Sequence, residues 1–63
     1  MCEIKVFLLE NGEEKLILES VEYLKVEGKK VFMRNIFGEK KEIEAHFREF
    51  DSSEGKILLY NTG

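Results

Sequence analysis

The sequence predicts an all-β protein in which five short antiparallel strands, joined by tight turns, wrap into a closed or nearly closed small barrel. Three observations lead there. Apolar residues recur with a period of two along most of the chain, the pattern of strands that turn one face inward. Turn-forming residues at Asn11-Gly12, Gly28, Gly38 and Asp51–Gly55 interrupt these runs at short intervals. The chain has 63 residues, enough for one domain near the lower limit of an unstapled core. Closure would remove the exposed edges that such short strands otherwise present. One domain is expected over residues 1–60, with 61–63 as a C-terminal tail.

The first strand is Met1 to Leu9. Cys2, Ile4, Val6 and Leu8 share one face, and Phe7 and Leu9 make the far end apolar on both sides. Asn11-Gly12 is a hairpin signal because both residues tolerate positive φ. The second strand starts at Lys15 to Leu18 and stays apolar through Val21, Tyr23, Leu24 and Val26. Leu16, Leu18, Leu24 and Val26 are in phase, whereas Val21 and Tyr23 are not. That mismatch predicts a bulge or sharp bend near residues 19–22, with a one-turn helix as the alternative. Glu27-Gly28-Lys29 turns into a third strand, Lys30 to Ile36, and Gly38 turns into a fourth, Lys40 to Phe50. There Ile43, Ala45 and Phe47 point inward while Glu42, Glu44, His46 and Arg48 point outward, a spacing that no single helical stripe could hold. After the turn cluster at 51–55, Lys56 to Tyr60 forms the last strand.

The core expected from this phasing is Ile4, Val6, Leu8, Leu16, Leu18, Leu24, Val26, Val31, Met33, Ile36, Ile43, Phe47, Ile57 and Leu59. Phe7, Leu9, Phe32, Phe37, Phe50, Leu58 and Tyr60 fall in the opposite phase or at strand ends. One small barrel should not leave that much apolar surface wet, so a homodimer is expected, with two-fold symmetry the commonest form.

Charged residues make up 37% of the chain, mixed in sign, with a net charge of −3 and a pI of about 5.1. That balance argues against a general nucleic-acid binder, which needs clustered Lys and Arg to neutralise phosphates. No run approaches the roughly 20 apolar residues of a membrane span. Lys5 lies inside the first apolar run, so no basic leader precedes it. With one cysteine, no internal disulfide can form, which favours a reducing, cytoplasmic setting.

The densest chemistry lies at the N-terminal end. A lone cysteine on an apolar strand is ordinarily a small buried hydrophobe, but Cys2 stands beside the terminal amine. If Met1 is removed, the amine and thiolate of Cys2 form a five-membered chelate. If Met1 is kept, its amine, the Cys2 amide nitrogen and the thiolate bind in sequence. Such nitrogen and sulfur donors suit a square-planar ion, Ni(II) or Cu(II), better than tetrahedral zinc. One chain cannot complete the coordination sphere with these atoms, whereas two copies could supply two nitrogens and two sulfurs. Metal binding and dimerisation would then support each other.

Other candidates carry less. His46 could ligate a metal or titrate near neutral pH, but a single surface histidine is ordinary. Ser20, Ser52 and Ser53 have no base partner in view, so nucleophilic catalysis has no support and no enzyme is expected. Gly38-Glu39-Lys40-Lys41 lacks the further glycines and the Ser/Thr of a phosphate loop. Tyr23, Phe32 and Phe37 could stack bases, but on an acidic chain they fit a core or dimer contact better.

Met1-Cys2-Glu3 before a β run, Glu10-Asn11-Gly12-Glu13-Glu14, and Asn35-Ile36-Phe37-Gly38-Glu39 before a charged strand resemble the CooT family over nearly the whole chain. The resemblance implies a five- to six-stranded antiparallel SH3-like or Sm-like barrel. It also implies a homodimer that binds Ni(II) at its interface through the second-position cysteine, here Cys2, and serves as a metallochaperone or metal sensor. A nickel enzyme such as carbon monoxide dehydrogenase is the implied partner. No His-rich storage tail is present. A different class of function, an Sm-like RNA-binding module, is the runner-up, and salt-dependent RNA binding that survives loss of Cys2 would favour it. A third is a metal-free barrel whose apolar surface docks a larger enzyme.

Overall fold

The computed structural model describes residues 3–61, and within them the chain is all β. The strands are β1 (Lys5–Glu10), β2 (Glu13–Leu18), β3 (Val21–Glu27), β4 (Lys30–Asn35), β5 (Lys40–Glu44), β6 (His46–Asp51) and β7 (Lys56–Tyr60). They form a four-stranded sheet of order β2-β1-β7-β6 and a three-stranded sheet of order β3-β4-β5. No helix among the described residues is long and apolar enough to cross a membrane.

Three expectations need correction. Among the described residues there are seven strands, because two of the expected long strands each break at a corner. The second breaks at Ser20, whose φ of 55° no extended strand can accommodate. Its carbonyl accepts the Ile36 N–H at 3.0 Å, while the Val21 N–H reaches back to the Ile4 carbonyl at 2.9 Å. The chain thereby leaves the first sheet and enters the second. The fourth breaks at Ala45, a small buried residue whose N–H bonds the Lys29 carbonyl at 3.0 Å. The second correction follows from these corners: the strands sort into two packed sheets, and no closed barrel is found. Third, the pairing is not wholly antiparallel. β1 and β7 run parallel, with Val6 opposite Ile57 and Leu8 opposite Leu59. They start from the same end because the Lys5 N–H bonds the Gly55 carbonyl at 2.9 Å.

The expected bend near 19–22 is present as the Ser20 corner, and no one-turn helix replaces it. Asn11 and Gly12 both take positive φ, 54° and 79°, as a two-residue hairpin with right-twisted strands requires. At the turn before β7 the Asp51 carboxylate accepts from the Ser53 hydroxyl at 2.6 Å and from the Ser53 and Glu54 N–H groups at 3.1 and 3.3 Å. These bonds, the Ser53 hydroxyl first, hold its carboxyl below the ordinary carboxylate range.

Val6, Leu18, Val21, Val31, Met33, Ala45, Ile57 and Leu59 form the buried core, with Ile4, Leu8, Ile17, Leu24 and Ile43 packed around it. Leu16, Val26, Ile36 and Phe47, expected inside, are exposed. A register shift between Val6 and Phe7 pairs Phe7 with Leu16 and Val6 with Leu18, which turns Leu16 to the outer face of its sheet. Ile36 sits in a turn and Phe47 on an edge strand, so neither is covered. Conversely, Val21 is buried because the Ser20 corner resets the phase of the strand that follows.

Candidate metal-binding end

Met1 and Cys2, the expected metal ligands, lie outside the described residues. The residues that follow them are fastened from two sides. Glu3 accepts a hydrogen bond on Oε2 from the Ser20 hydroxyl at 2.8 Å, and Ser20 is itself buried. The Ile4 carbonyl is bonded by Val21 and the Lys5 N–H bonds Gly55. Gly55 has a φ of 65°, and a Cβ placed on it would lie 2.7 Å from the Glu3 carbonyl oxygen. Only glycine meets both demands, a left-handed backbone and a bare approach to the incoming chain.

Gly55→Ala should therefore destabilise the fold by about 1–3 kcal/mol, since strained φ and a backbone clash act together. Thermal unfolding reads the effect directly. An unchanged midpoint would mean that Gly55 does not clamp the start of β1.

Elsewhere the described residues contain no group of three or more His, Cys, Asp or Glu placed to hold a metal ion. His46 is half-buried with its ring stacked on Tyr60, centroids 5.3 Å apart. The break at Ala45 puts Glu44 in the other sheet, so the outward row expected for Glu44, His46 and Arg48 does not exist. Tyr23 and Phe32 meet edge to face at 6.1 Å. The Arg34 guanidinium lies 5.0 Å over the Tyr23 ring and is paired with Glu22 at 3.0 Å. A base stacked on Tyr23 would have to displace that cation, and Glu22 neutralises it towards phosphate.

One organising residue escaped the sequence reading. Asn35 is 2% exposed and its side chain ties the turn from 35 to 39 together. Its Oδ1 accepts from the Phe37 and Glu39 N–H groups at 3.1 and 2.8 Å, and its Nδ2 donates to Glu39 Oε1 at 2.6 Å. The knot lifts Ile36 and Phe37 into solvent, 62% and 73% exposed. Beside it runs an open groove of about 610 Å³ bordered by Leu16, Leu18, Phe37 and Lys40. The signal was present: an asparagine three residues before a glycine is a side-chain-capped turn.

The description of the matching family model is CO dehydrogenase accessory protein CooT, and the match runs over residues 1–60. The chain belongs to the CooT family. It is an accessory protein and not itself an enzyme. A crystal structure assigned to CooT from Carboxydothermus hydrogenoformans superposes with a TM-score of 0.87 at 31% identity, covering 98% of this chain and all of that one. An uncharacterised protein of Methanocaldococcus jannaschii is 34% identical over 59 residues, which is 94% of this chain and 96% of the relative. The fastened start of β1 and the Asn35 turn both fall inside the span that matches CooT.

Proposed function

We propose that this CooT protein is a cytoplasmic nickel metallochaperone or metal sensor, in which two chains bind one Ni(II) ion between them through Cys2. The observation that carries the reading is family membership over residues 1–60 in a chain whose single thiol stands at position 2. Nickel is cargo in this account. The Cys2 thiolate and the nearest nitrogens, with or without Met1, offer the in-plane donor set that a d⁸ ion prefers. The described residues contribute no competing cluster. The clamps at Ser20 and Gly55 fix where β1 begins, so the ligating end has a firm base on one side. In either form one chain leaves the square-planar set incomplete, and a second chain completes it.

The recipient is a nickel-containing carbon monoxide dehydrogenase. Nickel-loaded protein incubated with nickel-free carbon monoxide dehydrogenase is expected to restore CO oxidation faster than the same total nickel supplied free. Equal rates would contradict delivery and leave storage or sensing. The acidic chain and the neutralised Arg34 beside Tyr23 give RNA binding no comparable support.

A further inference from the structure

We infer that the groove along the outer edge of β2 is a binding site for an extended acidic segment of another protein, which pairs with β2 as an added strand. Among the described residues β2 is the edge of its sheet and bonds only β1. Four consecutive residues, 16–19, line the groove. Side chains alternate between the two faces of a strand, so a hollow that follows consecutive residues runs along the edge itself and meets the backbone. None of the hydrogen bonds seen outside the strand ladders uses the backbone of residues 16–19, which leaves the outward row of N–H and C=O groups open. Such a row is a template for an extended peptide.

The opposite wall decides what that peptide carries. The Asn35 knot holds the Phe37 N–H and keeps the ring in solvent, an apolar anchor ordered before any partner arrives. Lys40 and Lys41 stand beside it on the same wall. Lys41 pairs with Met33 across β4 and β5, and residues directly opposite share a face. Met33 is completely buried, so Lys41 occupies a core-phase position, yet it is exposed where the groove opens. Neither lysine takes part in the ion pairs seen among the described residues. The Glu39 carboxylate is committed to the Asn35 amide, which leaves Glu19 against two cations. A strand lying on β2 turns alternate side chains to this wall. An apolar one fits against Phe37, and acidic ones meet Lys40 and Lys41.

The chain is too short to fill the groove with its own ends. Beyond residues 3–61 it has two residues at each terminus, about 7 Å at full extension. The edge over residues 16–19 runs for roughly 13 Å. Nickel plays no part in this contact, so the test excludes it and its failure leaves the nickel proposal standing.

The full chain is studied in chelator and reductant. The probe is the blocked heptapeptide Thr-Val-Thr-Glu-Thr-Glu-Thr, whose valine and glutamates fall on one face of a strand. Its counterpart carries lysine in place of both glutamates. Backbone amide NMR shifts are expected to change saturably at residues 15–19 and 35–41, with the lysine peptide weaker by about tenfold or more. Lys40→Glu with Lys41→Glu should reverse that preference. Both positions are exposed, so circular dichroism of the variant should match wild type. Phe37→Ala should weaken the acidic peptide about fivefold or more. No shifts at millimolar peptide would overturn the proposal, and so would a response indifferent to peptide charge or to the lysine substitutions. Shifts at these residues that follow protein concentration alone would give the groove to a second copy and overturn it too.

Discussion

Cys2→Ala is expected to abolish tight Ni(II) binding while leaving the fold intact. The chain has no second thiol, and the described residues hold no alternative metal cluster. Without the thiolate, the terminal amine and an adjacent amide remain, and the soft anionic ligand that favours nickel over harder ions is gone. Loss of that ligand should weaken binding by more than about 10²-fold, beyond the roughly 10–100-fold lost when only an outer-shell partner is removed. Thiolate-to-metal charge-transfer absorption should vanish with it. The thermal midpoint should stay within a few degrees, because the hydrogen bonds and core contacts described for residues 3–61 do not involve the thiol. A Cys2→Ala variant that binds nickel as tightly as wild type would end the proposal.

Asn35→Ala carries the largest expected effect on stability. The substitution deletes an acceptor for two N–H groups and a donor to Glu39 at a buried site. Each buried group left unsatisfied costs about 1–3 kcal/mol, so a loss of about 2–4 kcal/mol is expected after partial hydration of the opened turn. That is a large share of a small domain's total stability. At about 4–8 °C per kcal/mol for a domain of this size, the midpoint should fall by about 8–30 °C. Urea unfolding measures the same loss. A change below 1 kcal/mol would show that the turn holds itself through its backbone bonds alone, Asn35 N–H to Glu39 and Gly38 N–H to Asn35.

The strand signals in the sequence reached most of the fold. The period-two runs covered the residues of the seven strands but read β2 with β3 and β5 with β6 as single strands, and the turns at Asn11-Gly12, Gly28 and Gly38 lie where glycine chemistry requires them. The out-of-phase pair Val21 and Tyr23 marked the corner at Ser20. What alternation could not reveal is where a strand changes sheets. Ala45 kept perfect alternation across residues 42–48, yet the chain turns there, because the Lys29 carbonyl takes its N–H. The parallel pairing of β1 and β7 was equally hidden, since it depends on the Gly55 approach to Glu3 and not on any pattern within either strand.

The functional end was legible as residue chemistry and not as geometry. Cys2 and Met1 stand out because a thiol beside an amine is a donor set, whatever the fold beyond it. The clamps behind them, Ser20 and Gly55, read in the sequence as ordinary turn residues. The edge strand β6 shows the same limit: strict alternation would put Phe47 and Phe50 on opposite faces, but the register shift between Phe47 and Glu49 brings both to one face.

The central claim is that the nickel site belongs to two chains and not to one. Native mass spectrometry of the wild-type protein loaded with limiting and then excess Ni(II) tests it most directly. The predicted result is one tightly held Ni(II) for every two chains, a ratio that excess metal does not raise. One Ni(II) held by each chain, on species that include monomers, would contradict the account.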